Sequence, residues 1–310
     1  MGNEENVKNR IRILGEENIM NILITGGTGF VGSYMVRYFA ELGNNIIATY
    51  RTRKPVRAIS GVKYIKQELS ETIKVDEKID VIIHTACSSS GEKLSTGEYI
   101  RDNVTSALNI AEFAKKKNVR TLVYFSTRSV YGEVRENIVD EDGDIINPDM
   151  YGITKYVAEN IFRELKQINT IGLRTPGIIG PGAHDIWLVN ITKKILSGEN
   201  VNISDFMTQN LVWIDDIATF INKLIIKSDN DEKFKYDVVN LACDKEINNI
   251  EIAQTIKERL NSKSHIIVEK SEKGLFRLNS QRACEMGYSP ISPKEIVNKY
   301  LDCIIKEAIS

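Results

Sequence analysis

Over residues 21–174, short apolar runs alternate with longer segments in which apolar residues recur every three or four positions. The short runs are typical of buried strands, and the longer segments of helices packed on one face. One predicted helix begins at Gly29 and ends near Gly43, and two more cover 103–117 and 151–166. The buried face of the helix at 103–117 is predicted to consist of Val104, Ala107, Leu108, Ala111 and Ala114. Predicted strands cover 21–25, 46–49, 62–65, 80–84, 121–126 and 170–174. This alternation predicts βαβ units and a parallel sheet with helices on both faces.

The alternation becomes less regular after Arg174. Residues 177–182 are predicted to form a loop, and one more core strand is predicted at 238–242. Further helices are predicted at 186–197, 215–228, 250–260 and 293–308. We therefore expect an α/β protein with a Rossmann doubly wound parallel sheet over 20–175, joined again by the strand near 238–242, and a small substrate-binding domain mainly over 176–310. Residues 1–19 are expected to be a poorly ordered N-terminal extension.

Composition excludes several classes of function. The net charge is −1 with acids and bases interspersed, so no broad nucleic-acid-binding surface is expected. No apolar run approaches the length of about 18 residues that spans a membrane, and the charged N-terminus does not resemble a secretory signal. We therefore expect a cytoplasmic protein with neither nucleic-acid nor membrane partners.

The cysteines and histidines do not form a metal-binding pattern. The four cysteines lack CxxC spacing, and the three histidines lack HxxxH spacing, so no metal site is expected. Cys87 follows a predicted strand end and is the one cysteine considered for a ligand contact, against a packing role. His84, inside that strand, is interpreted as a core histidine.

A glycine-rich stretch follows the first predicted strand. Gly26, Gly29 and Gly32 are spaced GxxGxxG and open the first predicted helix. Glycines here permit a positive φ and a close approach of the backbone to a pyrophosphate, and the helix amino end provides N–H groups. The stretch therefore predicts a dinucleotide site.

Tyr151 and Lys155 form a YxxxK pair in a predicted helix, where residues four apart share a face. A phenol is a poor base at neutral pH, but a nearby ammonium favours its ionised form. Thr127, with Ser126 beside it, ends the strand before this helix, where α/β sheets bind ligands. A glycine-rich stretch, then a strand-end hydroxyl, then a YxxxK pair is a more specific pattern than any one of these features alone.

The segments TGGTGFVG, DVIIHTAC, STRSVYG, YGITK, IGLRTPGIIGPG and LVWIDDIA together resemble the NAD-dependent epimerase/dehydratase family, which belongs to the extended short-chain dehydrogenases/reductases. The resemblance implies a nucleotide-sugar substrate, a bound dinucleotide and the catalytic residues Thr127, Tyr151 and Lys155. It also implies a homodimer formed through the helices at 103–117 and 151–166.

The resemblance places the cofactor and substrate residues along the chain. Cofactor-binding residues are expected to be Gly26, Gly29, Phe30, Val31, Gly32, Tyr50, Arg51, Arg53, Glu68, Leu69, Thr85, Ala86, Cys87, Asn103, Ser126, Tyr151, Lys155 and Pro176. Substrate-binding residues are expected to be Ser88, Thr127, Arg128, Gly177, His184 and Arg277.

One departure from the family pattern concerns the cofactor. Members that use NAD carry an acid at the end of the second strand for the ribose 2′-hydroxyl, and Tyr50 stands there. Arg51 and Arg53 follow, and arginines suit a 2′-phosphate. These residues favour NADP, while a solvated basic turn with NAD stays open.

Other departures concern the chemistry. The 4,6-dehydratases of the family carry an acidic pair where this chain has Arg128 and Ser129, so dehydratase activity is disfavoured. The lack of an acid at these positions also weakens the case for decarboxylase activity. Gly177 and Gln209 replace an asparagine and an arginine that often contact the substrate diphosphate. Candidate replacements for those phosphate contacts are Arg277, Arg282 and Lys193.

The predicted function is an NAD(P)-dependent nucleotide-sugar 4-epimerase that oxidises C4 transiently to a ketone, with a UDP-sugar as the favoured substrate. The alternative is an NADPH-dependent nucleotide-4-keto-sugar reductase, which would use the same three residues and is favoured by Arg51 and Arg53. A non-catalytic dinucleotide-binding protein is a third hypothesis, which the complete set of catalytic residues disfavours.

Overall fold

The computed structural model describes residues 19–89, 94–205, 208–230, 232–243, 245–270 and 276–309, except for the side chains of 208, 209 and 307–309. Residues 1–18 of the predicted extension lie outside these ranges, as does the side chain of Gln209. Among the described residues, no helix combines the length and the apolar character needed to span a membrane.

The strands are β1 (Asn21–Thr25), β2 (Asn45–Tyr50), β3 (Lys63–Lys66), β4 (Val81–His84), β5 (Thr121–Thr127), β6 (Ile138–Val139), β7 (Asn169–Thr175), β8 (Gly177–Ile179), β9 (Val201–Ser204), β10 (Thr208–Gln209), β11 (Leu211–Trp213), β12 (Val238–Asn240), β13 (Ile247–Asn248), β14 (Ile266–Glu269) and β15 (Arg277–Leu278).

The α-helices are α1 (Phe30–Glu41), α2 (Thr96–Tyr99), α3 (Ser106–Lys117), α4 (Met150–Arg163), α5 (Trp187–Leu196), α6 (Ile214–Asp229), α7 (Asn249–Arg259), α8 (Gln281–Glu285) and α9 (Pro293–Ile309). A π-helical segment, Ile100–Thr105, joins α2 to α3, and a 3₁₀ turn, Arg128–Tyr131, follows β5.

Seven strands form one sheet in the order β3-β2-β1-β4-β5-β7-β12, which confirms the predicted Rossmann fold. The pairs β2–β3, β1–β2, β1–β4 and β4–β5 are parallel. The strand order changes direction between β1 and β4. Open α/β sheets bind ligands in the crevice outside the carboxyl ends of the strands at such a point.

The described residues form two compact units, each with its own core. The first unit comprises the described residues up to Phe125, with Ile153–Gly172 and Leu224–Asp237, and the second comprises the rest. Leu23, Ile82 and Phe162 belong to the core of the first unit, and Ile191, Trp213 and Ile256 to that of the second. The predicted division into a dinucleotide domain and a substrate domain depends on bound ligands and stays a prediction.

Two local predictions were wrong. Leu108 was expected on the buried face of its helix, but its exposed fraction is 45%. The buried face of α3 is formed by Ala107, Ile110 and Phe113 among others, and Leu108 lies on the opposite side. Residues 177–179 were expected in a loop, but they form β8 because they pair in parallel with β11, more than thirty residues later in the chain.

Candidate active site

The glycine loop leaves no room for side chains. Gly26 has φ +65°, and a Cβ on it would lie 2.9 Å from the Ala86 Cα. A Cβ on Gly32 would lie 2.1 Å from the Gly26 carbonyl oxygen and 2.8 Å from Thr85 Oγ1. Gly29 occupies the N-cap of α1 and provides no side-chain cap, so the helix amino end is open to an anion. The loop therefore fits the pyrophosphate of a dinucleotide.

Thr25, at the carboxyl end of β1, fixes the proton on a buried histidine. Its Oγ1 accepts hydrogen bonds from the backbone N–H groups of Thr85 (3.2 Å) and Ala86 (3.3 Å). The Thr25 hydroxyl proton is therefore directed at His84 Nδ1, 2.8 Å away. Nδ1 acts as the acceptor, and the ring proton lies on Nε2.

His84 is neutral in the folded protein. Burial, and secondarily the charge of Lys155, lowers the pKa of His84 to about 3. Lys155 itself is only 4% exposed. Its ammonium therefore faces a neutral ring instead of a second cation, as the interpretation of His84 as a core residue requires.

Asn103 connects the loop after β4 to helix α4. Its Oδ1 accepts from the Ser88 N–H (2.9 Å), and its Nδ2 donates to the Ser88 carbonyl (3.1 Å). Nδ2 also donates to Thr154 Oγ1 (3.0 Å), directly before Lys155. The side chains of Asn103 and Thr154 are buried, so these bonds fix where α4 places its lysine relative to the strand ends.

Arg51, at the end of β2, forms an ion pair. Its Nη1 lies 2.7 Å from Asp102 Oδ2, and the same oxygen accepts from Ser88 Oγ (2.7 Å). Burial acts to raise the pKa of Asp102, but hydrogen bonds from Arg101, Arg51 and Ser88 hold it below its ordinary value. Asp102 is thus a carboxylate beside the predicted cofactor residues, and it forms ion pairs with both Arg51 and Arg101.

Tyr151 and Lys155 lie one turn apart on α4, as predicted. The amino end of α4 packs closely against the turn after β5, because a Cβ on Gly152 would lie 2.2 Å from the Ser129 carbonyl oxygen. The Gly152 N–H donates to Asp149 Oδ1 (2.7 Å). The phenol of Tyr151 is half-buried.

Thr127 ends β5 and caps the 3₁₀ turn that follows. Its Oγ1 accepts from the Ser129 N–H (3.2 Å) and lies 3.3 Å from Ser129 Oγ. The Ser126 carbonyl accepts from Thr175 Oγ1 at 3.4 Å, at the end of β7. Since Gly152 packs on Ser129, Thr127 and Tyr151 lie on two segments of the second unit that pack against each other.

A model of the NAD dependent epimerase/dehydratase family matches residues 22–242, more than two thirds of the sequence. The chain belongs to this family.

Members with described reactions are among its relatives. A UDP-glucose 4-epimerase from Lactobacillus helveticus is 28% identical over 282 residues, covering 77% of this chain and 81% of the relative. The Bordetella bronchiseptica enzyme WbmG in complex with NAD has a TM-score of 0.81 at 18% identity, covering 96% of this chain and 97% of that one. A UDP-glucose 4-epimerase from Thermotoga maritima, solved with UDP-glucose, has a TM-score of 0.79 at 20% identity, covering 93% and 100%. The two structural similarities establish the shared fold.

Within this family member, the remaining predicted cofactor residues lie on strand ends and loops. Phe30 and Val31 form the first turn of α1, Tyr50 ends β2, and Glu68 and Leu69 follow β3. Arg53 and Cys87 are exposed, and Pro176 is buried. Their roles as ligands stay predictions.

The remaining predicted substrate residues lie in the second unit. Gly177 begins β8, and Arg277 lies in β15, which pairs in parallel with β6. The side chain of His184 is 60% exposed, and its Nδ1 lies 3.1 Å from the Gly182 carbonyl oxygen. Their contacts with a substrate stay predictions.

Three residues with clear positions beside the site were missed in the sequence. Thr25 and Thr154 are buried hydroxyls, and Asp102 is the acid that pairs with Arg51. Thr25 carries the same signal as Thr127, a hydroxyl at a strand's carboxyl end. Asp102 is adjacent to the predicted Asn103, but its partner is 51 residues away.

Proposed function

We propose that this chain is an NAD-dependent nucleotide-sugar 4-epimerase that acts on a UDP-sugar. The observation that carries the proposal is the arrangement on α4, where Tyr151 lies one turn from the buried Lys155 and α4 begins against the turn that follows Thr127. Family membership and the UDP-glucose 4-epimerases among its relatives support the same class of reaction.

The residues of the chain would move one proton and hold one oxygen. Bound NAD would supply the hydride acceptor and donor for C4 of the sugar. Tyr151, ionised next to the positive charge of Lys155, would take the proton of the 4-hydroxyl and later return it to the 4-keto oxygen. The Thr127 hydroxyl would donate a hydrogen bond to that oxygen. Rotation of the 4-keto sugar between the two transfers would invert the configuration.

NAD is the proposed cofactor. The glycine loop and the open amino end of α1 suit the pyrophosphate of either dinucleotide. Arg51, which favoured NADP in the sequence, is already paired with Asp102. A 2′-phosphate on Arg51 would lie close to that carboxylate and be repelled by it. Denaturing the purified protein should release NAD, and release of NADP would contradict the proposal.

A homodimer is proposed as the functional form. Leu108 on α3 and Ile153 and Val157 on α4 are 38–45% exposed although all three are apolar. Ile153 and Val157 are four residues apart and share a face of α4. Contact with the same helices of a second copy would remove these side chains from water.

The decisive experiment uses two tyrosines of the same helix. The wild-type protein should interconvert C4 epimers within a panel of UDP-sugars without added cofactor. Tyr151→Phe should reduce kcat by about a hundredfold or more, because the proton acceptor is lost. Tyr156→Phe, half-buried on the same helix, is the matched control and should retain activity.

The other outcomes separate the alternatives. Consumption of NADPH with a nucleotide-4-keto sugar, without epimerisation, would establish the reductase instead. Binding of a dinucleotide with no turnover of any substrate would favour a non-catalytic protein. Full activity of Tyr151→Phe would refute the catalytic assignment.

A further inference from the structure

Arg128 is a poorly solvated guanidinium at the end of β5. It follows Thr127 directly and begins the 3₁₀ turn. Burial lowers the pKa of Arg128, and its guanidinium carbon lies 5.8 Å from the centroid of the Phe276 ring. In the part of the chain that the structure describes, Arg128 makes no ion pair.

Two other arginines of the same unit have polar or acidic partners. Arg174 donates to Tyr131 Oη (2.9 Å) and to the Glu141 carbonyl (3.1 Å). Arg282 forms ion pairs with Glu141 and Asp142. Removing a guanidinium from water without such partners is costly. Among the described residues no carboxylate pairs with Arg128, so its guanidinium suits an anionic ligand.

The position of Arg128 relates the anion to the reacting carbon. In the proposed function, on which this inference rests, the Thr127 hydroxyl holds the oxygen on C4. In a hexopyranose, C4 is bonded to C5, which carries C6, whereas the diphosphate is attached at C1 on the opposite side of the ring. The cation of Arg128, directly after Thr127 in the chain, is therefore better placed to contact a charge on C6 than to contact the diphosphate on C1.

We propose that Arg128 binds the C6 carboxylate of the sugar, and that the substrate is a nucleotide-linked uronic acid. A planar guanidinium pairs with a carboxylate through two parallel hydrogen bonds. The cation–π contact with the Phe276 ring does not require the N–H donors of the guanidinium. This assigns a specificity role to the position where dehydratases of the family carry an acid, which would repel a C6 carboxylate.

The test compares binding and turnover of UDP-glucuronic acid, UDP-glucose and UDP alone. Wild-type protein should bind UDP-glucuronic acid at least about tenfold more tightly than UDP-glucose, as a charged hydrogen-bonded pair predicts. It should also epimerise the uronic acid with the higher kcat/KM. Arg128→Met should remove both preferences while leaving UDP affinity unchanged, and Arg128→Lys should retain part of them. Arg135→Met, at an exposed arginine seven residues later, is the matched control.

Two results would overturn the inference. Equal loss of affinity for all three compounds in Arg128→Met would mean that Arg128 binds the diphosphate. Preference of the wild-type protein for UDP-glucose, unchanged in Arg128→Met, would mean that no C6 charge is recognised. In both cases the wild-type protein still epimerises UDP-sugars. If the proposed function fails instead, no UDP-sugar is converted, but the binding of the three compounds can still be compared.

Discussion

At the scale of single residues, the site depends on which charges are compensated. Lys155 is buried beside His84, which is neutral, and Arg51 is paired with Asp102. A lysine in this setting lies beside a neutral ring, and an arginine already paired is less available to a phosphate. The same residue types thus acquire different roles from their neighbours.

His84 makes stability depend on pH. Its pKa of about 3 in the folded protein lies below the ordinary value, so the unfolded chain binds a proton that the folded chain does not. This contribution to stability is fully present above about pH 6.5 and is lost as the pH falls towards 3, at about 1.4 kcal/mol per pH unit.

The measurement is the free energy of unfolding in urea between pH 7 and pH 4. His84→Gln should reduce the slope of the unfolding free energy against pH by the equivalent of about one proton. This expectation holds whatever the substitution does to stability at pH 7. His265→Gln, at an exposed histidine, is the control and should leave the slope unchanged. An unchanged slope in His84→Gln would show that other groups produce the acid sensitivity.

At the scale of elements, the close packing between β1 and α1 depends on glycines, which have no side chains. Gly32 is buried in the first turn of α1 and packs on the backbone of Gly26, which packs on Ala86, two residues after β4. The loop therefore holds two neighbouring strand ends and a helix amino end together. A cradle of this kind tolerates no added volume on the side facing the backbone.

Gly32→Ala tests this packing. The new Cβ would meet a backbone carbonyl at 2.1 Å, so the loop must shift. We expect a loss of about 1–3 kcal/mol in stability and at least about a tenfold loss of NAD affinity. Gly97→Ala in α2, where a Cβ meets nothing within 4 Å, should be neutral or slightly stabilising. Unchanged NAD binding in Gly32→Ala, measured by calorimetry, would exclude the loop as the pyrophosphate site.

At the scale of the whole molecule, the proposed dimer accounts for the exposed apolar side chains of α3 and α4. Leu108→Glu should shift the mass measured by light scattering from two chains to one, because a carboxylate cannot be buried there without a partner. Leu196→Glu is the control, since Leu196 is also an exposed leucine, on α5. A monomeric wild-type protein, or a dimer that persists in Leu108→Glu, would contradict the proposal.

The sequence by itself determined the order and type of most elements, because strand and helix periodicities are local. It located β1 to β5, α1, α4 and α6 closely, and it identified the loop of Gly26 and the pair of Tyr151 and Lys155. It also predicted that His84 is buried, since an apolar strand in a parallel sheet is covered on both faces.

Only the tertiary structure decided which distant residues meet. The pair of Arg51 with Asp102, the strand β8 and the contact of Arg128 with Phe276 all depend on segments far apart in the chain. Leu108 has the same apolar side chain whether it faces a core or a partner, so periodicity alone placed it on the wrong side of α3. Local preference sets backbone conformation, whereas burial and charge compensation are properties of the folded neighbourhood.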